Sequence, residues 1–322
     1  MSAWLPTAPC TPRDCSTHQG PAVGALTGSV RLLAGVGLVL AGALTAPFLT
    51  LLGGAVRDRL TRHWARTVLR LFGLRVRVVG EPALRRGSGV LVVANHVSWL
   101  DIPLLATVFP GRMLAKSEIR RWPLLGALAA LGGTLFVERE RLRALPGTVR
   151  TLSTALAAGS RVIAFPEACT WCGREQGRFT TAVFQAALDA DAAVRPVRIT
   201  YRAPDGEPSG APAFVGDDTI TASLWRVVTA GGLTAEITVL PLIPAGRHTD
   251  RRELARDAAA GIAHTGPDGV ARTGTEGAAR TVVTDGVAHT AVASDSANRP
   301  SSSVHQCVNS IPAPASSVRT RS

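Results

Sequence analysis

The residues best suited to chemistry are His96 and Asp101, five apart in the segment NHVSWLD (95–101), directly after the apolar run VLVVA. On a regular helix the two would point about 140° from each other. Leaving a strand through a loop into a helix start, they can converge instead. A carboxylate bonded to one imidazole nitrogen fixes the tautomer and leaves the other nitrogen as a base. His96 would then take a proton from a substrate hydroxyl, and Asp101 would stabilise the imidazolium that forms. The substrate supplies the attacking oxygen, so no serine or cysteine nucleophile is needed. On the pair alone, a local role is the simpler reading: His96 packs the loop, and Asp101, ahead of Ile102-Pro103, starts a helix.

Other polar residues stand at similar places. Arg139 follows a β-like run, where a guanidinium can grip a phosphate with two parallel hydrogen bonds or pair with Glu138 or Glu140. Glu167 follows a proline at the end of RVIAF, the edge where parallel sheets carry their site loops; it could equally cap a helix. Lys116, the only lysine, also ends a short strand. Cys169 and Cys172 form a C-x-x-C, which alone suggests thiol redox chemistry or half a zinc site. Zinc would need two more ligands at metal spacing, and no convincing pair is evident in the sequence.

Read together and in order, four segments resemble the glycerolipid acyltransferase family that includes the 1-acylglycerol-3-phosphate acyltransferases. H-x4-D is matched by His96 and Asp101, with Asn95 beside them. G-x-x-F-[IV]-x-R is matched by Gly133, Phe136, Val137 and Arg139. F-P-E-G-[TS] appears as Phe165-Pro166-Glu167-Ala168-Cys169, followed by Thr170. The fourth, a proline within an apolar strand, is Pro196. The resemblance spans about residues 60–245. It implies that His96 and Asp101 are the catalytic pair and that Arg139 binds the acceptor's phosphate, with help from Lys116. It further implies that Asn95, Gly133, Phe136, Phe165, Pro166 and Glu167 line the substrate site. The third block departs from the pattern. Ala168 replaces glycine, which matters if the position needs positive φ. Cys169 replaces a hydroxyl residue, and Thr170 offers a hydroxyl one position on. The donor implied is acyl-CoA or acyl-carrier protein and the acceptor a lysophospholipid, with no metal or redox cofactor.

Positioning such a site calls for an α/β domain. Short β-rich runs lie at 75–79, 90–94, 112–115, 134–137, 161–165, 194–200 and 236–240, with helical patterns at 117–131, 148–158, 179–189 and 249–263. That alternation predicts a largely parallel, mixed sheet flanked by helices. Residues 203–232, rich in Pro and Gly, read as a long loop.

Between Arg31 and Arg57 lie 25 residues without a charge, more than the roughly 20 needed to cross a bilayer. Pro47 and Gly53-Gly54 leave a kinked or re-entrant helix pair open. A cleaved signal peptide ending near Ala41-Gly42-Ala43 fits less well, because apolar sequence continues past it. Arginines 57, 59, 62, 66 and 70 crowd the C-terminal flank, which by the positive-inside rule puts the domain on the cytoplasmic face of the inner membrane. Leu60, Trp64, Val68 and Leu71 share a helical face, suited either to lying at anionic headgroups or to packing as a domain helix with a basic outer face.

The division expected is thus a disordered N-terminus (1–29), a membrane anchor and amphipathic helix (30–73), an acyltransferase domain (74–265) and a disordered low-complexity tail (266–322). A formal charge of +12 asks for an anionic partner, for which a membrane surface or phosphorylated substrate fits better than nucleic acid, since no nucleic-acid motif is present. Five cysteines in a chain of 322 residues do not suggest a disulfide framework. Rival functions are acylation of another lysolipid such as lyso-ornithine lipid, a membrane-anchored thiol redox protein using Cys169 and Cys172, and a catalytically silent lipid-binding scaffold.

Overall fold

The computed structural model describes residues 8–49, 51–82, 87–121, 125–138, 142–264, 282–284 and 287–289. Its centre is a twisted sheet whose strands run β4 (Leu135–Val137), β3 (Arg112–Lys116), β5 (Arg161–Ala164), β2 (Val90–Ala94), β6 (Ala193–Arg202), β7 (Thr234–Val239) and β1 (Arg75–Val79). The first five are mutually parallel; β7 is antiparallel to β6, and β1 is parallel to β7. The C-terminal ends of β2, β3, β4 and β5 therefore share one edge. Two short strands, β8 (Val282–Thr284) and β9 (Val287–His289), continue the sheet antiparallel beside β1. The rest of the segment expected to be a disordered tail lies outside the described residues.

Strand β2 is buried along its whole length, as an unbroken apolar run in the middle of a parallel sheet must be. Its side chains alternate between two cores. Val90, Val92 and Ala94 face α3 (Gly54–Leu71), α4 (Asp101–Ala106) and α8 (Ile220–Thr229). Leu91 and Val93 face α6 (Leu145–Ala157), α7 (Ala182–Asp189) and α9 (Arg251–His264). Helices on both faces exclude water from the sheet, so the polar side chains at its edge work in a low-dielectric setting.

Three expectations need correction. The stretch 203–232 is not all loop, because α8 forms inside it, capped where the Thr219 hydroxyl accepts from the Ala222 N–H at 3.2 Å; the flanking Pro and Gly mask a ten-residue amphipathic helix. The 117–131 pattern does not form one helix but a 3₁₀ turn, Ser117–Arg121, followed by α5 (Leu125–Leu131). The N-terminal segment is not free along 8–24. It contains a one-turn helix, α1 (Pro12–Cys15). It also docks on the domain: the Ser16 hydroxyl donates to Ala213 O at 3.2 Å, Gly210 N–H to Thr17 O at 3.0 Å, and Val23 N–H to Thr229 O at 2.8 Å. Backbone hydrogen bonding orders a segment whose composition carries little apolar signal.

Helix α2 (Ala25–Leu49) starts earlier than expected and carries Pro47 in its last turn. It is long and apolar enough to cross a membrane, and by these criteria is the one such helix among the described residues. Its 25 residues span about 37 Å at 1.5 Å per residue. Leu26, Leu33, Leu44 and Phe48 are strongly exposed. One side rests on α3, where small residues admit large rings: Gly35 against Phe72 and Gly42 against Trp64. The Trp64 indole N–H donates to Leu38 O at 3.2 Å. Helix α3 in turn buries Ala65, Val68 and Leu69 on the sheet side. Its apolar face is therefore largely inside the fold, and Arg57, Arg59, Arg66 and Arg70 remain exposed.

Candidate active site

Strand β2 delivers His96 to the C-terminal edge, and the chain turns through Val97–Leu100 into α4, whose first residue is Asp101. The convergence expected from strand–loop–helix geometry is realised: His96 Nδ1 lies 2.8 Å from Asp101 Oδ2. The same oxygen accepts the Val97 and Ser98 N–H groups at 2.7 and 2.9 Å, and Oδ1 accepts the Tyr201 hydroxyl at 2.7 Å. Asp101 thus ties down the turn and orients the imidazole at once, so the two readings of this residue describe one arrangement. The carboxylate is fully buried and meets four donors, which is what a buried anion requires. Burial, followed by the charge of Asp101, pushes the Tyr201 phenol well above its ordinary range, so it stays neutral and donates. With Nδ1–H held by a carboxylate, Nε2 is the imidazole nitrogen left with a lone pair.

His96 is held on its other sides too. Its N–H donates to Glu167 Oε2 at 2.7 Å, its carbonyl accepts the Trp171 N–H at 2.7 Å, and its ring stacks on Phe165 at 4.0 Å between centroids. Glu167, expected to line the substrate site, is buried and braces the loop: its second oxygen accepts the Gly177 N–H at 2.9 Å. Burial, helped by the nearby Asp101 charge and opposed by the two backbone donors, raises its carboxyl pKa to about 7. A carboxyl raised from 4.5 to about 7 on folding binds more protons in the native state between those values, so stability falls as pH rises through that window. The full penalty is about 3 kcal/mol at 1.36 kcal/mol per pKa unit, absent below 4.5 and complete above 7. Urea denaturation of wild type and Glu167→Gln across this range should show that slope in the wild type alone; parallel curves would refute the raised value.

Two more expected substrate contacts are occupied within the fold. The Asn95 amide exchanges hydrogen bonds with the Ile199 backbone, donating to its carbonyl at 3.0 Å and accepting its N–H at 2.8 Å, which prolongs the β2–β6 ladder. The Thr170 hydroxyl donates to Phe214 O. Both are short polar side chains beside a loop whose own backbone needs partners. Pro166 offers its carbonyl to Thr180, from both the N–H and the hydroxyl. Ala168 does sit at positive φ, +62°, where a β-carbon costs about 1 kcal/mol or more. Ala168→Gly is therefore expected to stabilise the chain by about 1 kcal/mol, read as a higher denaturant midpoint at unchanged m-value. An unchanged or lower midpoint would mean that the loop absorbs the strain.

The second block lies farther along the same edge. Gly133, at φ +72°, makes the turn into β4 and accepts the Arg112 Nε–H at 2.8 Å. Phe136 lies under the Arg120 guanidinium, 5.9 Å from its ring centroid. Lys116 is exposed at the end of β3, in register with Val137. Strands β5 and β3 succeed β2 in the sheet, so Lys116 stands about 10 Å along the edge from the His96 strand at 4.8 Å per strand. Arg139 lies outside the described residues. Sequence reasoning missed Tyr201, a hundred residues from Asp101. Its only signal is that the single tyrosine alternates with Val197 and Ile199 on a strand.

The structure thus brings a buried carboxylate and an imidazole together at the C-terminal strand edge of an α/β sheet. A family model described as Acyltransferase matches residues 75–200. The lyso-ornithine lipid O-acyltransferase of Pseudomonas aeruginosa is 38% identical over 245 residues, covering 73% of this chain and 90% of that one. The 1-acyl-sn-glycerol-3-phosphate acyltransferase of Neisseria gonorrhoeae is 38% identical over 176 residues, covering 55% and 69%. The crystal structure of the 1-acyl-sn-glycerophosphate acyltransferase from Thermotoga maritima superposes with a TM-score of 0.57 at 18% identity, over 78% of this chain and 98% of that one; at that identity the likeness is one of fold. The chain belongs to the acyltransferase family and is an acyl-transferring enzyme.

Proposed function

We propose that this enzyme acylates the free hydroxyl of a lysophospholipid, with lysophosphatidate as acceptor and acyl-CoA or acyl-carrier protein as donor. The observation that carries the reading is the His96–Asp101 contact of 2.8 Å at the sheet edge, which leaves Nε2 as the one basic nitrogen. His96 takes the proton of the acceptor hydroxyl as its oxygen attacks the thioester carbonyl. The tetrahedral intermediate collapses to the ester and expels the thiolate, which takes the proton back from the imidazolium. Positioning and general base catalysis supply the acceleration. Lys116 and Arg139 hold the acceptor phosphate, and Gly133, Phe136, Phe165 and Pro166 shape the site. Helix α2 seats the enzyme in the cytoplasmic membrane with the domain on the cytoplasmic face. Its exposed leucines support this, as does the arginine excess on α3.

A second acceptor, lyso-ornithine lipid, is favoured by the altered Ala168-Cys169 block and by the Pseudomonas relative, whose length this chain covers to 90%. Membranes containing the enzyme, given labelled donor and each lysolipid in turn, decide the matter. Diacyl product from lysophosphatidate is the expected result. Product from lyso-ornithine lipid alone would reassign the acceptor, and none from any lysolipid with either donor would sink the proposal.

A further inference from the structure

The C-x-x-C did not find its second ligand within its own loop. Cys172 meets two cysteines from the N-terminal segment, so that the sulfurs of Cys10, Cys15 and Cys172 all lie within 4.8 Å of one another. Cys10 and Cys172 are buried, and Cys15 is half-buried. Cys15 is the last residue of the one-turn helix α1 and Cys10 lies two residues before its start, so the short helix holds them at fixed spacing. That helix is docked: the Gly210 N–H bonds Thr17, and the Cys10 and Cys15 carbonyls press on Gly216 and Gly210, where the latter leaves no room for a β-carbon. His18 is turned away, with its ring against Ser209 and Gly20.

We propose that Cys10, Cys15 and Cys172 form a three-thiolate site for a soft divalent cation, zinc being the natural occupant, with a water or small anion as fourth ligand. A tetrahedral zinc with bonds of about 2.3 Å sets its sulfurs about 3.8 Å apart, so the thiols need only a small inward adjustment. Soft thiolates select such an ion over magnesium or calcium. Each thiol gives up its proton on binding, and the ion joins two parts of the chain more than 150 residues apart in sequence. The function follows from the neighbour of Cys172: the Trp171 N–H bonds the His96 carbonyl at 2.7 Å. The metal clamps the N-terminal segment onto the loop that steadies His96, a structural and positioning role. Cys169 is outside the cluster and serves as the internal control.

The test is elemental analysis of full-length detergent-purified enzyme, carried on a tag without histidines and never exposed to chelator. About one zinc per chain is expected. Cys15→Ser and Cys172→Ser should each lower bound zinc at least about tenfold, whereas Cys169→Ser keeps it. Cobalt loading of the wild type should give thiolate-to-cobalt charge-transfer absorption, which remains decisive if a serine variant does not fold. Wild type without zinc and without the cobalt band overturns the proposal. So does a disulfide among the three cysteines in unreduced mass spectra, or a Cys169→Ser enzyme as depleted as Cys172→Ser.

Discussion

Replacing His96 by alanine is expected to lower the turnover of acyl transfer by about 10²–10⁴-fold, the range that a positioned general base contributes. The effect should fall on kcat, because in the proposed mechanism the imidazole acts on the proton as the oxygen attacks and does not hold the acceptor. The fold should survive. The side chain is 21% exposed, and its loss leaves Asp101 with three donors, namely Val97, Ser98 and Tyr201. The loss of one charged hydrogen bond from that set costs about 1–3 kcal/mol. Circular dichroism should therefore look native and melting fall by no more than about 10 °C, while the rate of product formation collapses. An alanine variant as fast as wild type would take the base role away from His96.

Asp101→Asn should be at least as damaging to the rate and worse for the fold. The carboxylate receives three donors on Oδ2 and one on Oδ1. An amide offers a single acceptor oxygen and a donor group that must face one of these donors. The imidazole then loses the charge that favours Nδ1–H and that stabilises the imidazolium. In comparable triads the wrong tautomer lowers kcat by about 10⁴. A buried site with donors set against each other also loses about 2–4 kcal/mol. The combination separates the two variants: His96→Ala is a slow native enzyme, Asp101→Asn a slow and less stable one. Equal melting temperatures for Asp101→Asn and wild type would show that the four-donor cluster contributes little to the fold.

Much of this was legible in the sequence because it depends on short-range pattern. The run VLVVA followed by NHVSWLD announces a buried strand that opens into a loop and helix, and that local path is what brings His96 to Asp101. The strands fell within a few residues of their expected places, since β-branched runs bounded by polar residues leave few alternatives. The brace roles of Asn95, Glu167 and Thr170 were not legible. Each depends on a partner far along the chain, such as Ile199, Gly177 or Phe214, and side-chain type does not reveal whether a polar group faces a substrate or a backbone. The docking of residues 8–24 escaped for the same reason: backbone groups and small side chains hold it, and neither has a periodicity. Helix α8 hid between prolines and glycines that belong to its flanks.

The hydrogen bond from Tyr201 to Asp101 joins residues a hundred positions apart, and Asn95 bonds Ile199 across a similar interval. Closing a loop of that length is entropically costly and is made good only when β6 adds to β2. The order of folding is constrained accordingly. A nascent chain that has emerged only as far as Glu167, just past β5, already holds His96 and Asp101 too, yet it lacks the strand that supplies the fourth donor. The last central strand to be synthesised before the antiparallel return is thus the one that completes the pocket around Asp101, so the enzyme cannot become competent ahead of its own sheet.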